Sequence, residues 1–125
     1  MADQNVLDMS KIFDTIKKLL GFTADYHPFD QDILIEINSV FGILYQIGVI
    51  SYPIEVDTEM SWSELNLDAD VVSMVKNYVY LKIKLIFDPP QIGSLNASMA
   101  ERIKELEFRL SIASDPGREV LEDVR

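Results

Sequence analysis

The residues best suited to chemistry lie in one short stretch around the single histidine. His27 stands in the sequence DYHPFD, and the acidic side chains of Asp30, Asp32 and Glu36 follow it. A protein metal site needs several ligands together, whereas this chain has no cysteine and no second histidine. Paired carboxylates can act as acid and base, but acids at a helix start also interact favourably with the helix dipole. We prefer the second interpretation and predict neither a catalytic nor a metal site.

Other catalytic and phosphate-binding motifs are missing from the sequence. It contains no glycine-rich phosphate loop, no G-x-S-x-G and no H-E-x-x-H, and its 5 glycines are scattered singly. We therefore predict a non-enzymatic protein that uses no cofactor and acts through interactions with other proteins.

Composition and charge narrow the class of protein further. The chain has 125 residues and 48% hydrophobic content, enough for one domain with a core. Its 21 acidic and 11 basic residues give a net charge of −10, which works against general binding to nucleic-acid phosphates. The start MADQNVLDMSK lacks the features of a signal peptide, and no apolar stretch approaches the roughly 20 residues of a membrane span. We expect a soluble protein synthesised in the cytoplasm.

The first half of the chain predicts two amphipathic helices. Ser10 is a candidate N-cap for a short helix that ends before Gly21, and a longer helix starts near Asp30 and ends at Gly48. Apolar residues recur at helical spacing in both segments. Those of the first are Ile12, Phe13, Ile16, Leu19 and Leu20, and those of the second are Ile33, Leu34, Ile37, Val40, Phe41, Leu44 and Ile47.

The third segment, from Asp70 to Asp88, is ambiguous because apolar and polar residues partly alternate as in a strand. Its length favours a helix, with Asp70 as the cap. Lys82 alone interrupts the apolar face, and we interpret it as an aliphatic stem in the core with its ammonium group reaching solvent or an acid. The sequence Asp88-Pro89-Pro90 must end this helix.

The fourth segment begins at Ser94 or at Ser98, where Ser98-x-x-Glu101 matches a capping box. A narrow apolar seam follows, formed by Met99, Ile103, Leu106, Leu110 and Ala113. Phe108 and Ile112 lie four residues apart, opposite that seam. We predict that a neighbouring subunit or another partner covers them; the alternative is a helix buried on two sides within one chain.

Between the second and third helices, the segment ISYPIEVDTEMS (50–61) predicts a loop that projects from the body and contacts a partner. Tyr52, Ile54 and the adjacent Trp62 are its candidate partner-binding residues. The alternative for Trp62 is that it closes the bottom of the core.

The predicted fold is therefore all-α, a small bundle of about four amphipathic helices with one projecting loop. Residues 1–113 form the helical domain and residues 114–125 a C-terminal tail. In the tail, Val120, Leu121 and Val124 follow helical spacing but offer too little apolar area to fold alone. We expect them to become ordered on a partner, or else the tail is a spacer.

Three stretches of the sequence together resemble a known family. They are FDQDILIEINSVFGILYQIGV (29–49), VKNYVYLKIKLIFDPPQ (75–91) and ERIKELEFRL (101–110), with Trp62 in the intervening loop. This combination resembles the head-tail connector proteins of long-tailed bacteriophages, also called adaptor or head-completion proteins. In that family a helix ending in Y-x-x-L-K-x-x-x-x-F-D-P-P precedes an I-x-E-L-E-[WF]-R-L helix, and the resemblance covers roughly residues 29–110.

The resemblance implies a structural protein of the virion, situated at the head-tail interface. It implies a homo-oligomer, a twelve-membered ring beneath the portal protein that also meets the next connector, stopper or tail protein. DNA would pass through this ring without specific binding, and an acidic channel wall is compatible with that passage because like charge repels phosphate. The main alternative is a small acidic regulatory or DNA-mimic protein that sequesters a basic partner.

Overall fold

The computed structural model describes residues 8–114 of the chain and shows an all-helical protein. The longer elements are α1 (Ile12–Leu19), α2 (Asp30–Gln46), α3 (Ala69–Phe87) and α4 (Gly93–Ala113). A single 3-10 turn, Trp62–Leu65, precedes α3. The prediction of a small all-α bundle is confirmed. The tail positions Val120, Leu121 and Val124 lie outside the described residues, so their docking on a partner stays a prediction.

Helix α3 lies at the centre of the bundle and packs against the other three helices. Its side towards α4 includes Tyr78, whose hydroxyl donates a 2.7 Å hydrogen bond to the Glu107 carboxylate, and Leu81, which lines a groove with Met99. A second apolar side, rotated around the helix, serves α1 and α2. Its buried residues are Val72, Val75, Val79 and Ile83.

Lys82 lies between these two sides of α3 and is half-buried. Its ammonium group is 5.9 Å from the centre of the Tyr78 ring, within the range of a cation–π interaction. The predicted burial of its aliphatic stem is consistent with this position, and the aromatic face takes the place of an acid.

The predicted helix starts are wrong in three places. Lys11, not Ser10, is the N-cap residue of α1, while α3 begins at Ala69 and places Asp70 inside its first turn. Helix α4 begins at Gly93, one residue before the Ser94 alternative, so Ser98 lies well within the helix and forms no cap. The same S-x-x-E pattern does close at Ser61, where the Glu64 carboxylate accepts the Ser61 N–H at 3.0 Å. A capping pattern alone therefore does not fix a helix start.

The segment preceding α1 is fastened to the segment preceding α3. Lys11 and Ser61 form an isolated antiparallel bridge, and the Trp62 N–H donates to the Ser10 carbonyl at 3.1 Å. The Lys76 ammonium group lies 2.6 Å from the Asp8 carboxylate and 5.2 Å from the centre of the Trp62 ring. These contacts join three distant parts of the sequence at one end of the bundle.

Trp62 belongs to this junction and is not available to a partner. Its side chain is 0% exposed, and its indole N–H donates to the Thr15 hydroxyl at 2.9 Å. The proposal that Trp62 anchors a partner is therefore wrong, and the alternative, closure of the core, is what the structure shows.

The segment 50–61 lies along α2 and does not project as a whole. The Asn38 side chain accepts the Val56 N–H at 2.6 Å and donates to the Val56 carbonyl at 2.9 Å, as a neighbouring strand would. Val56 is buried and Ile54 is half-buried against the core, whereas Tyr52 is 50% exposed. Asn38 thus fastens the middle of the segment and leaves Tyr52 at the surface.

Replacing Trp62 with alanine should destabilise the protein strongly. Removal of a fully buried aromatic side chain costs about 3–5 kcal/mol, and here the Thr15 hydroxyl also loses its donor. Tyr52→Ala is the matched control, expected to change the free energy of unfolding by less than about 0.5 kcal/mol. Urea unfolding followed by circular dichroism measures both, and equal effects would contradict the assignment of Trp62 to the core.

Asp8 should make stability sensitive to acid. Its hydrogen bonds from Lys76 and Ser10 lower the pKa of its carboxyl group from 3.8 to about 2. A lowered folded-state pKa gives stability that is present above 3.8 and is lost as the pH falls towards 2. Asp8→Asn should therefore flatten the pH dependence of the melting temperature in that window. The pKa shift sets the window between pH 4 and pH 2. If the melting temperature of Asp8→Asn depends on pH in this window as that of the unchanged protein does, the Asp8–Lys76 ion pair contributes nothing to stability.

Candidate functional site

The acidic stretch around His27 forms an ion-pair cluster. The Lys17 ammonium group, almost fully buried, lies 2.8 Å from one oxygen of the Asp30 carboxylate, and His27 Nδ1 lies 2.8 Å from the other. Lys17 foremost, and then His27, lower the pKa of Asp30. Lys17 also donates to the Ala24 carbonyl at 3.2 Å. The cluster ties α1 to the start of α2, which is a structural use of these residues.

Within residues 8–114, no group of three histidine or acidic side chains lies close enough together to hold a metal ion. None of the helices in the same range is long and apolar enough to cross a membrane.

Four aromatic rings gather beside this cluster, at the end of the bundle where α2 begins and α3 ends. The Phe22 and Tyr26 rings stack at 5.6 Å, and the Phe29 ring meets the edge of Phe87 at 6.1 Å. Tyr26 and Phe29 remain substantially exposed. Aromatic side chains at a surface provide large contact areas for a protein partner.

The aromatic cluster continues into a groove of about 420 Å³ along the outside of α2, which we call the α2 groove. Two exposed isoleucines form its apolar part: Ile35 is 60% exposed and Ile86 is 58% exposed. Asp32 and Glu36 form its acidic part, and neither has an ion-pair partner within residues 8–114. Sequence reasoning missed this groove, although Ile35 stands directly opposite the apolar side of α2.

A second apolar surface lies on α4. Phe108 is 65% exposed and Ile112 is 36% exposed, while Leu106 and Leu110 on the other side of the helix are buried. We call the side that carries Phe108 and Ile112 the α4 outer face. Its other members are Ala97, Glu101, Lys104, Glu105, Arg109 and Ser111. The spacing thus placed Phe108 and Ile112 correctly outside the chain's own core, and their coverage by a partner stays a prediction.

The remaining seam residues of α4 are only partly buried. Met99 is half-buried and Ala113 is exposed. The seam is therefore buried at Ile103, Leu106 and Leu110 and more exposed at its first and last residues. In α1 the expectation also fails at one position, because Leu19 is 48% exposed. Leu19 and Ala113 are the last residues of their helices, where fewer neighbouring elements are present to cover a side chain.

The segment 50–61 forms a third surface together with α2. Tyr52 is exposed, and Ile54 lines a shallow groove of about 750 Å³ with Leu34, Ile35 and Asn38. Because Ile35 borders both grooves, this surface is continuous with the α2 groove.

Comparison with known proteins identifies the family. The family model described as phage connector protein matches residues 12–117, which is most of the chain. The chain belongs to the phage connector family. No curated protein and no solved structure matches it significantly.

The family match extends the resemblance seen in the sequence at its N-terminal side. It begins at Ile12, the first residue of α1, and therefore includes all four helices. This connector protein is thus a structural component of a phage particle, and surfaces that meet other proteins are the functional features to seek in it. The exposed apolar residues on α2, α3 and α4 are the best candidates because a folded core does not need them.

Substitutions on the two sides of α4 should separate folding from interaction. Phe108→Ser should leave the melting temperature of the isolated connector nearly unchanged, since the ring is 65% exposed. Leu110→Ala, on the buried side, should cost about 2–5 kcal/mol. Thermal unfolding followed by circular dichroism compares them. A large drop in melting temperature for Phe108→Ser would mean that this ring stabilises the single chain.

Proposed function

We propose that this connector forms an oligomeric ring at the head-tail interface of the phage particle, beneath the portal protein. The ring joins the portal to the next connector, stopper or tail protein and lets DNA pass through its centre. The protein is synthesised in the host cytoplasm and works in the virion without catalysis or a cofactor. The family match supports this proposal.

The observation that carries the proposal is the pattern of exposure in a well-packed helical body. Each helix contributes fully buried residues to one core, yet Ile35, Ile86 and Phe108 remain more than half exposed. A ring subunit needs such surplus apolar surface, because it contacts a neighbour on each side and other proteins above and below. A monomeric regulator has less use for several separate apolar surfaces.

The net charge of −10 suits a channel for DNA. A basic wall gains free energy by releasing counterions from the phosphates and would hold the DNA, whereas an acidic wall has no such gain. DNA passage without specific binding is therefore compatible with the composition.

Electron microscopy tests the proposed assembly directly. The purified full-length chain should form rings alone or when mixed with the purified portal protein of the same phage, visible by negative stain and measurable by mass photometry. Tyr52→Ser and Phe108→Ser are expected to weaken assembly while leaving circular dichroism unchanged, because both side chains are at least 50% exposed. A chain that stays monomeric with the portal and binds only a basic partner would instead support the acidic regulator.

A further inference from the structure

The structure points to a specific pair of surfaces: we propose that the α4 outer face of one subunit docks into the α2 groove of a second copy. This inference rests on the proposed ring and names the side chains that hold it together. Phe108 and Ile112 of one copy pack against Phe29, Ile35 and Ile86 of the next. Lys104 of the first copy then faces Asp32 and Glu36 of the second.

The geometry of a ring requires two different surfaces on each subunit. A two-fold dimer uses the same surface twice, whereas a closed ring with more members repeats a head-to-tail contact between unlike surfaces. In this fold α3 is central and packs against both α2 and α4. The outer faces of α2 and α4 therefore point in different directions, and each carries exposed apolar side chains. One subunit can thus meet a neighbour on either side.

The two surfaces are complementary in shape and chemistry. The α2 groove is bordered by aromatic and aliphatic side chains, with the edge-on Phe29–Phe87 pair at its rim. Phe108 is the most exposed aromatic side chain within residues 8–114 and protrudes between Lys104 and Ile112. A ring entering such a groove can pack against other aromatic rings, an arrangement found at the energetic centres of protein interfaces.

Charge favours the same pairing. Within residues 8–114, Lys18, Lys82, Arg102 and Lys104 are the basic side chains without an acidic partner. Two of them, Arg102 and Lys104, lie on α4, whereas Asp32 and Glu36 in the α2 groove are acids without a basic partner. On the α4 outer face, Glu105 is already paired with Arg109 at 2.8 Å. Glu101, the other acid of that face, lies about two helical turns before Phe108. Docking the α4 outer face into the α2 groove brings Lys104 close to Asp32 and Glu36. Pairing two α2 grooves would instead bring acidic side chains together.

The absence of native cysteines makes cross-linking a clean test. The cysteines are placed beside the proposed contact, so that its apolar side chains stay intact. One full-length chain carries Ser39→Cys, next to Ile35 on α2, and another, with a different affinity tag, carries Ser111→Cys, next to Phe108 on α4. The two chains are mixed and treated with a short bismaleimide. We expect a cross-linked dimer that contains both tags, and little or no dimer from either chain alone. A chain carrying both substitutions should give a ladder of higher multimers. The matched control is Leu95→Cys, an exposed position near the start of α4, which should not link to Ser39→Cys.

The possible results separate this inference from the proposed ring. Circular dichroism first confirms that each variant is folded, and mass photometry measures assembly in parallel over a range of protein concentrations. Rings that form without the mixed cross-link, or with a dimer of two Ser111→Cys chains, overturn the pairing but leave the proposed function standing. A chain that neither assembles nor cross-links, alone or with portal protein, overturns both. The mixed dimer together with the ladder supports both.

Discussion

The fold depends on the two-sided burial of α3. One side of this helix carries Val72, Val75, Val79 and Ile83, and the side rotated towards α4 carries Tyr78, so that other helices can pack on both. Tyr78 is fully buried, and desolvation together with the Glu107 carboxylate raises the pKa of its hydroxyl group. The phenol is therefore held protonated as the donor in the bond to α4. A central helix of this kind lets α2 and α4 act as the outer layers, and it is why their outer faces are free for other contacts.

The sequence predicted the helices well because their burial is periodic, and it predicted their starts poorly because a cap is a local pattern. Both Ser61-x-x-Glu64 and Ser98-x-x-Glu101 fit the capping-box pattern, yet only the first forms the capping hydrogen bond, from the Ser61 N–H to the Glu64 carboxylate. After Pro90 the chain can return to helix at Gly93, where the Asn96 side chain donates to the Pro90 carbonyl at 2.8 Å. Nothing in the Ser98 pattern reveals that an earlier start is already stabilised.

The surfaces were harder to predict because they depend on contacts between distant residues. Trp62 is buried through Thr15, 47 positions away, and Asn38 holds Val56 at a separation of 18. Neither partner is visible from local spacing, so the sequence alone leaves open whether Trp62 is an exposed anchor or closes the core. Phe108 was placed correctly because its position follows from helix geometry alone. The α2 groove joins residues of α2 with the end of α3, and its existence requires the tertiary fold.

Self-association of a strongly acidic chain sets a further constraint on where its interfaces lie. With a net charge of −10, two copies repel each other at long range, so a stable contact must combine apolar burial with local compensation of charge. The α4 outer face meets this requirement because its two acids, Glu101 and Glu105, are balanced by its two bases, Lys104 and Arg109. A face without net charge, which also carries exposed apolar side chains, can approach a second copy of an acidic protein without the repulsion that its other surfaces would meet.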